Sequence, residues 1–574
     1  MSGAQRLVDA FRTLDSTIQV AQFPLPLDGA ASLRSLSESI THQVRDYLLP
    51  RATRLDAPLL AVVGGSTGAG KSTLVNSLLR AQVTRPGVLR PTTKSPVLVC
   101  HPDDEAWFRS ENVLPDLVRT DSQLHDSRAL QIVAFPDLPP GLALLDAPDI
   151  DSIDDANRSL AQQLLLAADL WIFVTSAARY ADAVPWNYLS TAAERNVVIS
   201  VIVNRCPPGA ITEVGTHLAQ MLAERGLGSA KLFAVPERAL TSDGMLPRGD
   251  VSGVRQWLGQ LAAESEMRAQ VAVQTLAGAV RSLDPQLKEL IDGVALQEEA
   301  VADLRVQAEV SYKAASDEVA AAASDGTMLR GEILGRWQDL VGTGEFMRGI
   351  EERIGMIRDR ITGWFRGEAK VEAMQVAISD SLAAVLQEAG DRAAETTAVA
   401  WSRTRWGREI IAAQPDLARA SEGFGEAAAE AIRSWQSDIL RLVEEEGRGK
   451  RMKARFLAIG TNVAGAALII VVFAATGGLT TAEVGIAGGT SLLAQRLLEA
   501  VFGEEEVRRL AVEAQRLLRE RVDGVLSDEK ARFDDILDAL AVDPDAAARL
   551  TSAAEQLRRA ARSAFDDLTA PELR

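Results

Sequence analysis

Two kinds of apolar pattern divide the 574-residue chain. Between 59 and about 250, apolar residues come in short runs: Leu59–Val63, Leu142–Leu145, Leu170–Val174, Val197–Val203 and Leu232–Val235. Each is rich in β-branched or bulky side chains, and most end at Gly, Pro, Asp or Asn. Short continuous runs without alternation predict strands buried on both faces of a parallel sheet. Helical stretches lie between them, including 72–80 and 212–225. Alternating strand and helix predicts an α/β doubly wound layer.

From about 252 onward the runs give way to stripes. Leu287, Leu290, Ile291, Val294, Val301, Leu304 and Ala308 recur mostly at helical spacing. So do Val507, Leu510, Ala514, Leu517, Leu518, Val522 and Val525, and then Leu550, Ala554, Leu557, Ala561 and Phe565. These predict long amphipathic helices packed as a bundle. Breaks are expected near Pro285, in 326–344, at Pro415 and at Pro544. Residues 1–57 read as helical too, interrupted around Pro24 and Pro26.

One segment fits neither pattern. From Phe456 to Gln495 the only ionisable residue is Glu483, and Phe456–Ala475 carries no charge over 20 residues. As a helix those 20 residues reach roughly 30 Å, the thickness of a bilayer core. Arg448, Lys450, Arg451, Lys453 and Arg455 crowd just before it, as at a cytoplasmic edge facing anionic lipid. Val484–Ala494 is too short to span, so a hairpin that enters and returns to the cytosolic side is expected over 456–495. The alternative is a helix pair buried in protein, packed closely through Gly460, Gly465, Gly485, Gly488 and Gly489.

Composition narrows the function. Hydrophobic residues make up 47% and charged residues 24%, a folding composition. The net charge of −18 opposes a general nucleic-acid binder, which needs a basic surface. Two cysteines, Cys100 and Cys206, and four histidines leave no disulfide scaffold and no Cys- or His-rich metal centre. The first residues, MSGAQRLVDAFRTLD, lack a basic region followed by an apolar one, so no signal peptide is expected.

The chemistry lies at the end of the first apolar run. Gly65-Ser66-Thr67-Gly68-Ala69-Gly70-Lys71-Ser72 matches G-x-x-x-x-G-K-[ST] between a strand and a helix that continues through Thr73. Glycines let backbone N–H groups converge on phosphate oxygens, and the helix N-terminus adds positive potential. Lys71 reaches toward the β- and γ-phosphates, and Ser72 offers a hydroxyl to Mg²⁺. About twenty residues on, Thr93 in Arg90-Pro91-Thr92-Thr93-Lys94-Ser95-Pro96 is placed to close over metal and γ-phosphate. Asp146, at a strand end in Asp146-Ala147-Pro148-Asp149, is a metal-side carboxylate acting directly or through water. Asn204-Arg205-Cys206-Pro207 ends a later strand.

With these motifs the chain resembles the bacterial, actinobacterial-type dynamin-like GTPases. The resemblance implies an α/β P-loop GTPase domain with a mostly parallel sheet, joined to a long α-helical neck or stalk with a membrane-inserting apolar hairpin. The expected division is 1–57 as part of the neck, 58–250 as the GTPase domain, 251–455 as stalk, 456–495 as hairpin and 496–574 as returning helices. It implies GTP and Mg²⁺ as cofactors, with Lys71 and Thr93 catalytic. Gly65–Thr73, Asp146, Asn204 and Arg205 would bind nucleotide, and Ser72, Thr93 and Asp146 the metal. It also implies G-domain pairing or a higher oligomer, contact with anionic lipid and a place on the cytoplasmic face of the cell membrane.

The chain departs from the family in three places. Asp149 replaces a Gly whose N–H meets the γ-phosphate. Thr67-Gly68 stand where eukaryotic dynamins have Gln-Ser. Pro207 replaces the Asp that reads guanine, so GTP rests on the resemblance alone. Two rival readings remain open: an ATP-using P-loop protein, and a non-hydrolysing, nucleotide-gated membrane tether.

Overall fold

The computed structural model describes residues 3–84, 95–122, 128–151, 155–194, 197–324, 336, 368–447, 460–474 and 487–569. They form two compact units, one of 1–23, 28–298 and 542–574, the other of 24–27 and 299–541.

The first unit holds a sheet of eight described strands: β1 (Leu59–Gly65), β2 (Val97–Cys100), β3 (Val118–Thr120), β4 (Ala129–Ala134), β5 (Leu142–Asp146), β6 (Leu170–Ser176), β7 (Val198–Cys206) and β8 (Lys231–Pro236). Their order is β3-β4-β2-β5-β1-β6-β7-β8. Every pairing is parallel except β2 with β5. All five apolar runs read from the sequence are strands here, and β1 lies between β5 and β6. Its residues alternate between faces, as the pleat requires. Leu60 and Val62 join one core with Leu98, Phe108 and Phe173. Leu59, Ala61 and Val63 join another with Leu74, Val99 and Leu258. Both faces are therefore covered, which is why the runs do not alternate apolar with polar.

A third core in this unit is helical. Leu7, Phe11, Leu14 and Ile18 of helix Gly3–Val20 pack with Leu283, Leu287 and Leu290, and with Leu550, Ala554 and Leu557 of helix Ala546–Thr569. The expected break at Pro285 does not occur: Ser265–Ala322 is one helix with Pro285 inside it. Pro285 lies on the exposed side, while Leu283 and Leu287 beside it are buried. The missing N–H thus falls on the solvent face, where helix bonds are weakest, and the packed face holds the helix together. Breaks do occur at Pro415 and before Ala546, as expected.

The second unit is helical among its described residues. Glu368–Trp401, Phe424–Gly447, Thr461–Ala474, Ala487–Phe502 and Glu504–Ala539 are its longer helices, beside the end of Ser265–Ala322. Trp435 is fully buried and its indole N–H donates to Ala514 O at 2.9 Å. Trp401 does the same to Leu304 O at 2.9 Å and packs edge-on to Phe533.

The described residues contain no membrane-inserting hairpin. No helix among the described residues is long and apolar enough to cross a membrane. The apolar helix Thr461–Ala474 has 14 residues. Its side chains from Val463 to Ile470, with Val472 and Phe473, are buried in the bundle, Phe473 against Trp435. Gly465 lies close against Leu440. An uncharged run fits a protein core as well as lipid, and here the described part takes the first. Residues 456–459 and 475–486 of the expected hairpin lie outside the described residues.

Candidate functional site

The site is built where β1 ends. Gly65 sits at φ +149°, and a Cβ there would come within 2.0 Å of Val174 O on β6. Only glycine lets the chain turn so close to the neighbouring strand. The loop then passes Gly68 and Gly70, both at positive φ, into helix Lys71–Leu79. Gly70 is held by Asn204: a Cβ on Gly70 would lie 2.5 Å from Asn204 Nδ2. That amide donates to Ala69 O at 2.9 Å, and Asn204 Oδ1 accepts from Arg205 N at 2.9 Å. Asn204 is thus buried between the end of β7 and the loop, whereas Arg205 is exposed at φ +52°.

Three carboxylates, from the end of β5 and the segment after it, meet three residues of the loop and of the helix that it opens. Ser72 Oγ donates to Asp146 Oδ2 at 2.6 Å. Lys71, buried, pairs with Asp149 and donates to Gly65 O at 2.8 Å and Ser66 O at 3.2 Å. Asp151 Oδ1 accepts from Thr67 N at 2.6 Å and Thr67 Oγ1 at 2.7 Å. Arg179, beyond the end of β6, completes the third contact. It donates to Asp151 Oδ2 at 2.9 Å, to Thr67 O at 3.2 Å and to Asp182 at 2.7 Å.

The carboxylates differ electrostatically. Burial pushes Asp146 up to about 6, and the Ser72 hydroxyl and Lys71 oppose it only in part. Burial also pushes Asp151 up, but the Thr67 hydroxyl and amide and the Arg179 guanidinium together outweigh it, leaving Asp151 below the ordinary carboxylate range. Asp146 is fully buried and its Oδ1 has no hydrogen-bond partner among the described residues. A hydroxyl beside a carboxylate with one free oxygen is a donor set that fits Mg²⁺, whose remaining ligands come from phosphate and water.

The structure therefore brings together Gly65, Ser66, Thr67, Gly68, Ala69, Gly70, Lys71, Ser72, Asp146 and Asn204 from the sequence reading. Thr73 follows in the helix, its carbonyl taken by Ser77 Oγ. Arg205 meets this group through its backbone N–H, which donates to Asn204 Oδ1. Thr93 lies outside the described residues. Asp151 and Arg179 were not singled out from sequence. The available signal was position alone: both stand just beyond the C-terminal ends of strands that flank β1, where ligands of open parallel sheets bind.

No protein-family model matches the chain. A curated relative, the probable transmembrane GTPase FZO-like, chloroplastic, of Arabidopsis thaliana, is 29% identical over 133 residues, 23% of this chain and 13% of that protein's length. Among solved structures, a chain of an oligomerised bacterial dynamin pair, described as acting in long-range sensing and tethering of membranes, is 9% identical with a TM-score of 0.39 and covers 96% of this chain and 95% of its own. LeoA, a bacterial dynamin GTPase from ETEC, is 11% identical with a TM-score of 0.24 and covers 98% of each chain. The stretch aligned with the curated GTPase is a small part of that protein's length.

Proposed function

We propose that this chain is a membrane-associated, dynamin-like GTPase that binds Mg²⁺ and GTP on the Gly65–Thr73 loop. One observation carries the reading: Lys71, Ser72, Asp146 and Asn204, from one helix and two strand ends, converge on a single glycine loop. Lys71 would stabilise charge on the β- and γ-phosphates, and the loop amides would cradle them. Ser72 and Asp146, with Thr93, would hold Mg²⁺, directly or through water; bound there, it neutralises phosphate charge. Hydrolysis would be in-line attack of water on the γ-phosphate, with Thr93 holding that water. The relative named as a GTPase supports GTP as the nucleotide.

The membrane half rests on other features. The basic cluster Arg448–Arg455 suits anionic lipid on a cytoplasmic face, at about 1 kcal/mol per basic residue. Self-association through the G domain is what the family resemblance implies, and tethering or remodelling of membranes would be the outcome.

One observation favours a second reading, ATP use: Pro207 offers no acceptor to a guanine edge. A panel of GTP, GDP, ATP and ADP binding and hydrolysis, with and without anionic liposomes, tests both readings. Lys71→Ala is expected to weaken nucleotide binding at least about tenfold, the size of one charge-assisted contact. Unchanged affinity in that variant would remove the P-loop from the site.

A further inference from the structure

Of the three carboxylates that meet the loop, two have evident uses. Asp146 belongs to the Ser72 side, where a metal fits, and Asp151 is matched by Arg179. Asp149 is different, because the residue it touches is the one that a phosphate needs. An ammonium has three N–H donors. Those of Lys71 go to Gly65 O, Ser66 O and Asp149. The two carbonyls belong to the loop and hold Lys71 against it. Asp149 is the partner that can be exchanged.

The surrounding backbone aims this carboxylate. Ala147 N–H donates to Val63 O at 3.2 Å, and Ile150 N–H donates to Gly65 O at 3.4 Å. Asp149 is thus carried on a short segment tied to β1 on both sides. The next acid, Asp151, ties the same segment to Thr67. The Asp149 side chain is only 16% exposed, so it points into the loop and not into water.

We propose that Asp149 is a built-in competitor for the γ-phosphate and sets the discrimination between nucleoside triphosphate and diphosphate at this site. The inference rests on the P-loop reading above. A γ-phosphate arriving at Lys71 brings its negative oxygens against a carboxylate already there. Like charges in a partly buried place cannot share one counter-ion without loss. A diphosphate brings less charge to that point and displaces Asp149 less. Triphosphate affinity is therefore reduced more than diphosphate affinity by this single side chain. The triphosphate that does bind expels Asp149 from Lys71, and with it loosens the segment between Asp146 and Asp151.

The test is equilibrium binding of GTPγS and GDP, each with Mg²⁺, to the full chain and to Asp149→Asn, Asp149→Gly and Lys71→Ala. Asn keeps the shape of the side chain and removes its charge; Gly removes both. Circular dichroism establishes that each variant is folded, and the isosteric Asn variant carries the test should Gly disturb the turn. In both Asp149 variants the GTPγS affinity is expected to rise about tenfold, one charge-assisted contact's worth, with GDP affinity changed by less than about threefold. An unchanged GTPγS-to-GDP ratio, with nucleotide still bound, overturns the inference and leaves the P-loop reading standing. A fall in GTPγS affinity overturns it too, since Asp149 would then assist the γ-phosphate. If the unaltered chain binds neither nucleotide, or Lys71→Ala binds as well as it does, the P-loop reading fails and the inference falls with it.

Discussion

Arg51 and Asp169 pair with both side chains closed to solvent, 5% and 1% exposed. Arg51 comes from the N-terminal helical segment and Asp169 from the residue before β6. The guanidinium also donates to Ala57 O at 2.8 Å and Pro58 O at 3.0 Å. The carboxylate accepts from Leu60 N at 2.8 Å, and Asp169 O accepts from Thr275 Oγ1 at 3.0 Å. A single pair thus fastens the segment before β1, the first turn of the sheet and the helix Ser265–Ala322. Removing one partner leaves a buried charge uncompensated, which costs about 3–5 kcal/mol. Asp169→Ala is expected to lower unfolding stability by that amount in urea titration, and Asp169→Asn, which keeps an acceptor, by less. Equal losses would mean that the lost charge is the whole of the effect and that the acceptor kept by Asn counts for nothing.

Gly70 and Asn204 form a second fixed contact. Ala at 70 would have to adopt φ +92° and place its Cβ 2.5 Å from Asn204 Nδ2. Gly70→Ala is expected to abolish nucleotide binding without unfolding the chain. Adding Asn204→Ala removes the clash but leaves the backbone strain, so the double variant is expected to recover only part of the affinity. Full recovery, measured with a fluorescent nucleotide, would make the contact the whole of the effect.

Base choice gives a third expectation. A site that hydrogen-bonds a specific edge can discriminate by about 10⁴-fold or more. Pro207 provides no such acceptor, so the GTP preference over ATP is expected to fall well below that level in competition binding. A preference at that level would require another carboxylate. Glu237, whose backbone N–H donates to Cys206 O at 2.8 Å, would be the residue to neutralise next.

Asp46 gives a pH signature. Burial, larger than the opposing hydrogen bond from Gln163 at 2.8 Å, pushes its carboxyl from an ordinary 3.8 up to about 6. His42 and Arg45 nearby favour the charged form, and Asp116 disfavours it. Between about 4 and 6 the folded chain keeps a proton that the unfolded chain has lost, so this group's contribution to stability falls as pH rises through that window. Asp46→Asn cannot ionise. It is expected to melt above the unaltered protein at pH 7, with the gap closing toward pH 4. A gap constant across thermal melts from pH 4 to 7.5 would refute this origin.

What the sequence made legible follows from physics that acts locally. β1, β5, β6 and β7 were readable because both of their faces are largely buried, so each is a continuous apolar run, and β8, half-buried at the sheet edge, keeps the apolar run Leu232–Val235. β3 was not: Val118-Arg119-Thr120 is a short edge strand, with Val118 exposed, and has no such run. The glycine loop was readable because its spacing is fixed by the turn itself. Asp151 and Arg179 were hidden because they are 84 and 112 residues from Thr67 and meet it only through the register of β5, β1 and β6. Asp149 was visible as a departure, but its partner Lys71 was not. The described part of the apolar run, 461–474, was misread for a different reason. Hydrophobicity reports the polarity of the surroundings, and a tryptophan-lined bundle interior has nearly the polarity of acyl chains.

That last point has a consequence for Thr461–Ala474. To a helix that after Thr461 and Asn462 holds only Gly, Ala, Val, Leu, Ile and Phe, a protein interior and a hydrocarbon layer are two solvents of nearly equal quality. Moving it from one to the other exposes little to water at either end of the transfer, so burial hardly sets its partition coefficient. What distinguishes the two phases is fit. The bundle offers Phe473 a tilted ring contact with Trp435 and gives Gly465 a close seat against Leu440. A fluid bilayer offers neither, but accepts any shape. Steric mismatch, not added hydrophobicity, is then what would tip the helix toward lipid: Gly465→Leu should raise liposome flotation more than a surface Ala→Leu exchange of equal apolar gain.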